Sequence, residues 1–135
     1  MYDRILVATD DSPESDLAVD QAFSLAQTAG TSLHALFVVD RRFDRTEAMS
    51  EPFVRAGEAA LREIEVRAAE RGVDVTATLE RGDPADTILT YAESIDADLI
   101  VLGGKQPSVA KRFLIGDVAE KVTRHAPMSV LIVRE

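Results

Sequence analysis

Five short apolar segments alternate with four segments of helical period, and this alternation predicts an α/β domain built on a parallel sheet with helices on both faces. Parallel strands need long crossovers, and each crossover must lay its helix on one face of the sheet. Two further observations agree. Several of the apolar segments are almost unbroken, as strands covered on both sides require, and glycines and prolines stand where the helices stop and start. At 135 residues, 46% hydrophobic and 29% charged, the chain predicts one domain of ordinary size over residues 1–135.

Arg4-Ile5-Leu6-Val7-Ala8-Thr9 reads as a buried parallel strand that ends in the turn Asp10-Asp11-Ser12-Pro13. Over residues 15–29, Leu17, Ala18, Ala22, Leu25, Ala26 and Ala29 share one broad helical face, and Gly30 closes the helix. The second strand is Ser32 to Val39, broken by Asp40. Residues 41–50 are polar and carry Arg41, Arg42 and Arg45, so they are expected to be a loop. A long helix is expected over 51–71, with Pro52 in its first turn and Gly72 after its end. Val73 to Glu80 alternates strictly, which suits a strand with one exposed face or an edge position. Gly82-Asp83-Pro84 then sets Asp83 as an N-cap for a short helix running to Ser94. The fourth strand is Ala97 to Leu102. A loop over 103–115, a helix over 116–125 and a last strand from Met128 to Val133 complete the chain.

Composition excludes several kinds of chemistry. The chain has no cysteine, so disulfides, thiolate metal sites and a cysteine nucleophile are absent. Twenty-four acidic against fifteen basic residues give a formal charge of −9, which opposes approach to a polyanion such as nucleic acid. No apolar run approaches the roughly 18 residues of a membrane span, and Met1-Tyr2-Asp3-Arg4 lacks the basic and apolar regions of a secretory signal. A cytoplasmic location is expected, with no membrane or nucleic-acid partner.

Two separated blocks carry a family resemblance. Ile5-Leu6-Val7-Ala8-Thr9-Asp10-Asp11-Ser12 looks like the first strand and turn of the universal stress protein family. Leu102-Gly103-Gly104-Lys105-Gln106, then Phe113 to Val122, then Arg124 to Val133, resemble that family's C-terminal signature. The similarity covers essentially the whole chain. It implies a Rossmann-like sheet in the order 3-2-1-4-5 and a homodimer, often formed through the last strand in this family. In open sheets of this kind, ligands bind beyond the carboxyl ends of strands where the order reverses.

One branch of the family binds ATP through Gly-x-x-Gly, nine residues, then Gly-Ser or Gly-Thr. Bare glycine backbone and helix-start amides receive the phosphates there. The matching positions here are Gly103, Gln106, Gly116 and Asp117, and two of the four depart from the pattern. Gln106 precedes Pro107 and puts a side chain and a restricted backbone where glycine is wanted. Asp117 replaces a hydroxyl donor with an anion, expected to take the helix-start amides itself as a cap. Two unit charges ~4 Å apart at an effective dielectric near 20 repel by about 4 kcal/mol, roughly a thousandfold in affinity before screening. Lys105, Lys111 and Arg112 lie in the same loop and oppose that effect. The resemblance also implies that Asp10 stands near the adenine and ribose end of a nucleotide and that Val38 lines the base pocket, although a turn residue and a sheet residue need no ligand to explain them.

Ser12 and Asp83 are expected to be helix caps, and His125 complements a helix C-terminus. No catalytic residue and no metal site are assigned. The reading is a non-catalytic, dimeric regulatory protein with an unknown protein partner and a degenerate nucleotide site over Asp10, Val38, Gly103, Gln106, Gly116 and Asp117. The alternatives are an ATP- or AMP-binding switch, with Mg²⁺ conceivable between Asp117 and a phosphate, and a nucleotide hydrolase, which fold analogy alone supports.

Overall fold

The computed structural model describes residues 2–43, 45–104 and 116–134. Among these, β1 (Ile5–Thr9), β2 (Leu33–Asp40), β3 (Val75–Gly82), β4 (Leu99–Gly103) and β5 (Ser129–Val133) form one sheet in the order β3-β2-β1-β4-β5. Every neighbouring pair is parallel, with Ile5 beside Leu33 on one side and beside Leu99 on the other. The helices among the described residues are α1 (Pro13–Ala29), α2 (Glu47–Glu70), α3 (Pro84–Ser94) and α4 (Asp117–His125), and a 3₁₀ turn spans Arg41–Phe43. The Rossmann-like sheet and its order are those expected. No helix among the described residues is long and apolar enough to cross a membrane.

The two-residue period of the strands divides the core between the two faces. Ile5, Val7, Leu33, Ala35, Phe37, Val39, Leu99 and Val101 pack with α1 and α2. Leu6, Ala8, Leu36, Ile100 and Leu102 pack with α3 and α4. Central strands must therefore be apolar at every position, whereas β3, at one edge, is only partly buried along most of its length.

Local sequence sets most helix ends. Ser12 Oγ accepts the amide of Ser15 at 3.2 Å, Pro13 occupies the first helical position, and Gly30 ends α1 with a left-handed φ of 67°. Asp83 caps α3 through the amide of Asp86 at 3.1 Å. The α2 expectation needs correction. The helix starts at Glu47 because Thr46 caps it, accepting the amide of Met49 at 3.1 Å, so part of the expected loop is helical. Pro52 consequently lies inside α2, where the ring denies the Ala48 carbonyl its usual helical donor. Farther along, Arg67 and Arg71 cross to Asp20 of α1 and lie over the Phe23 ring, at 5.4 and 5.1 Å from its centroid.

β4 ends hard against the start of α1. A Cβ on Gly103 would fall 2.5 Å from the carbonyl carbon of Glu14 and 2.7 Å from the amide nitrogen of Ser15, both immobile backbone atoms. Gly103→Ala is expected to destabilise the protein by about 1–3 kcal/mol in denaturant unfolding, the usual cost of overpacking. Unchanged stability would contradict this contact.

His34 of β2 faces Tyr91 of α3, its Nδ1 3.5 Å from the phenolic oxygen. Burial first, and the charge of Arg4 second, hold the imidazole pKa below its ordinary value. As pH falls through about 6.5, the unfolded chain takes up this proton before the folded one does. The contribution is thus neutral above that range, and stability is lost as pH drops toward the depressed folded value. His34→Gln should flatten the stability profile between about pH 7 and pH 5. Parallel profiles for the two proteins would contradict the assignment.

Candidate functional site

Chain direction places the site. β1 and β4 are neighbours, but α1 leaves β1 toward one face and α4 leaves β4 toward the other. Their divergence opens a cleft of about 620 Å³ above the carboxyl ends of β1, β2 and β4, within the range of small-ligand sites.

The floor is a buried hydroxyl cluster. Thr9 and Ser15, 6% and 4% exposed, share a hydrogen bond of 3.0 Å, and Ser15 Oγ donates to the Ser12 carbonyl at 3.0 Å. The Asp11 amide donates to Thr9 Oγ1 at 3.1 Å, and the Ser12 amide to Asp10 Oδ1 at 3.0 Å. Asp11 adopts a left-handed φ of 66°, which aspartate tolerates better than most residues. These bonds turn the chain from β1 straight into α1 and fix Asp10 at the cleft.

Five of the six sequence-selected residues, Asp10, Val38, Gly103, Gly116 and Asp117, line this one cleft. Gln106 lies outside the described residues, as do Lys105, Lys111 and Arg112. Gly103 has a sufficient explanation without any ligand, because its missing side chain admits the first turn of α1.

Asp117 departs from the expectation that it caps α4. Gly116, with φ of 95°, is the N-cap and offers no side chain to the first-turn amides. Asp117 is the first helical residue and is exposed, and it accepts no hydrogen bond from those amides. The physical reason is position, because capping geometry belongs to the residue before the first helical one. The carboxylate still complements the helix dipole, and it stands beside the amides instead of filling them.

The sequence reading missed the opposite wall. Asp40, at the end of β2, accepts from Arg42 Nη2 at 2.7 Å and Nε at 3.1 Å, and these bonds hold its carboxyl below the usual carboxylate range. Both residues line the cleft, as do Glu14, Phe53, Pro84 and Ile88. The only available signal for Arg42 was its place in a basic cluster one residue after a strand end. Lys121, one of the three lysines, is committed elsewhere, bridging α4 to Asp86 at 3.2 Å and Asp83 at 3.6 Å.

The described lining carries the carboxylates of Asp10, Glu14, Asp40 and Asp117 and the single guanidinium of Arg42, which Asp40 already engages. It includes no histidine, and its hydroxyls Thr9, Ser12 and Ser15 bond to one another and to backbone. Among the described residues, no three acidic or histidine side chains converge as a metal cage.

Comparison with known proteins agrees with this geometry. The sequence profile of the universal stress protein family matches residues 1–134. A universal stress protein of Methanocaldococcus jannaschii is 32% identical over 142 aligned positions, spanning 100% of this chain and 84% of that protein. A putative universal stress protein of Staphylococcus aureus is 34% identical over 140 positions, spanning 98% of this chain and 84% of the relative. The structure of UspA from Lactobacillus plantarum is 30% identical with a TM-score of 0.85, and 98% of each chain is covered. A universal stress protein solved in complex with cAMP is 29% identical with a TM-score of 0.78, covering 98% of this chain and 97% of the other. With the strand order, the two sequence blocks and the full-length match in accord, this chain belongs to the universal stress protein family.

Proposed function

We propose that this protein is a non-catalytic regulatory member of its family, acting in the cytoplasm as a homodimer. Its cleft takes adenosine or its monophosphate in preference to ATP. The observation that carries this reading is the charge of the cleft, where Asp10, Glu14 and Asp117 have no cation against them within the described lining. Asp117 matters most, because it flanks the α4 amides on which phosphate oxygens would rest. A neutral nucleoside is indifferent to that field, and each added phosphate charge feels it more strongly. The cAMP complex of a relative supports an adenine ligand carrying a single phosphate charge. The hydroxyls of the described lining bond to one another and to backbone, and the Asp10 carboxylate accepts the Ser12 amide, which supports binding without turnover.

The reading as an ATP-responsive switch is favoured by Gly103 and Gly116, which face the cleft in the positions of the family's phosphate-binding pattern. Isothermal calorimetry separates the two. Wild type should bind adenosine and AMP at least as tightly as ATP, with or without Mg²⁺. Asp117→Ser should raise ATP affinity about tenfold or more, within the limit set by charge repulsion, and leave adenosine unchanged. Equal ATP affinity in wild type and variant would contradict the proposal.

The outer edge of β5 has no strand partner among the described residues, and Leu131 on it is 37% exposed, which supports association of two copies. Light scattering should give the dimer mass. A monomer at high protein concentration would contradict that part of the reading.

A further inference from the structure

β3 forms one edge of the sheet, paired with β2 along its whole length and with no strand on its other side among the described residues. The Leu33 amide donates to the Asp74 carbonyl at 2.9 Å, so Asp74 turns its backbone groups toward β2. A parallel strand aims the N–H and C=O of successive residues to alternate sides. Those of Thr76, Thr78 and Glu80 therefore face β2, and those of Val75, Ala77 and Leu79 point outward. None of the three outward pairs has a hydrogen-bond partner among the described residues. Soluble proteins blunt such edges with lysine, proline, a bulge or a very short strand. Val75-Thr76-Ala77-Thr78-Leu79 carries none of these, and its register with β2 is unbroken.

The two faces beside this edge differ. Val75, Ala77 and Leu79 pack, partly buried, against the core on the α2 side. Thr78 lies on the α3 side, where its hydroxyl meets the Tyr91 phenol at 3.1 Å, and a groove of about 340 Å³ runs between β3 and α3. Glu80, Asp83 and Asp86 line that groove, with Arg41 and Arg81 toward the carboxyl ends of the strands. Lys121 engages Asp83 and Asp86, whereas the exposed Glu80 has no ion-pair partner among the described residues.

We propose that the outer edge of β3 receives an extended segment of a partner protein, in which apolar residues turned toward α2 alternate with a lysine or arginine turned toward Glu80. The main chain of β3 supplies affinity and the side chains of the two faces supply selection. A chain of formal charge −9 also attracts a cationic segment before contact. This surface is separate from the cleft between β1 and β4 and owes nothing to its ligand. A second copy of this chain is a poorer occupant, because its own β3 offers Thr76, Thr78 and Glu80 on the α3 face and no cation. With the β5 edge assigned to the homodimer, self-pairing at β3 as well would build an open ribbon in place of a closed pair.

The probe is a fluorescently labelled peptide of alternating valine and lysine, and its control has the same composition with the valines and lysines in two blocks. Fluorescence anisotropy should show the alternating peptide binding about tenfold or more tightly than the block peptide, and Glu80→Lys should weaken it by about tenfold. Amide exchange locates the contact. Bound peptide should slow exchange at Val75, Ala77 and Leu79 about tenfold or more and leave Thr76 and Thr78, already paired with β2, unchanged. Ala77→Pro removes one outward donor where edge strands tolerate proline, and it should abolish binding. Thermal unfolding establishes that this variant is folded, and neither Glu80→Lys nor the exchange pattern depends on it. Equal affinity for the two peptides, or exchange at Val75, Ala77 and Leu79 unaltered by the alternating peptide, overturns the inference. So does a fall in the light-scattering mass of the free protein on Ala77→Pro, which would assign the edge to a second copy.

Discussion

β1 is hydrogen-bonded to β2 on one side and β4 on the other, so the chain leaving β1 and the chain leaving β4 must diverge to opposite faces of the sheet. The gap between them is where backbone amides and strand ends face solvent without a helix to cover them. Two close approaches define its walls. At Gly103 the end of β4 meets the first turn of α1, and at Gly57 α2 comes down on Phe37 and Leu79. A side chain at either position would force its neighbours to shift. The cleft is therefore a consequence of packing, and its chemistry depends on which side chains the packing leaves at its edge.

Those side chains divide the cleft by polarity. Val38, Val39, Ile88, Leu102 and Phe53 supply apolar wall, while Asp10, Glu14, Asp40 and Asp117 supply negative charge. Asp40 is satisfied by Arg42, which both neutralises it and keeps it ionised. The start of α4, where the N-cap Gly116 offers no side chain, attracts anions through the helix dipole, and the adjacent Asp117 repels them. A full charge beside the amides outweighs the half charge of the dipole unless the bases of residues 105–115 oppose it. This balance is the physical content of the proposed preference for a nucleoside.

The central strands were legible because burial on both faces leaves no choice but an unbroken apolar run, as in Ile5 to Thr9. Gly30, Gly72, Ser12 and Asp83 were legible because caps act over three or four residues. The start of α2 was not. Thr46 lay within a polar, arginine-rich stretch, and Pro52 resembled a first-turn proline when it is an interior one. Family resemblance indicated five residues that share the cleft, but local pattern could not separate the N-cap Gly116 from the first helical residue Asp117. Arg42 and Phe53 went unassigned because both reach the cleft through tertiary packing, Phe53 by way of a glycine on another part of its helix.

The dependence of ATP affinity on ionic strength reads the net field of the whole cleft without altering any residue. The screening length falls from about 30 Å at 0.01 M to about 8 Å at 0.15 M salt. If the carboxylates dominate, added potassium chloride should tighten ATP binding in Mg²⁺-free buffer and leave adenosine binding flat. ATP bound most tightly at low salt, and weakening steadily as salt is added, would show a net cationic phosphate site and contradict the account.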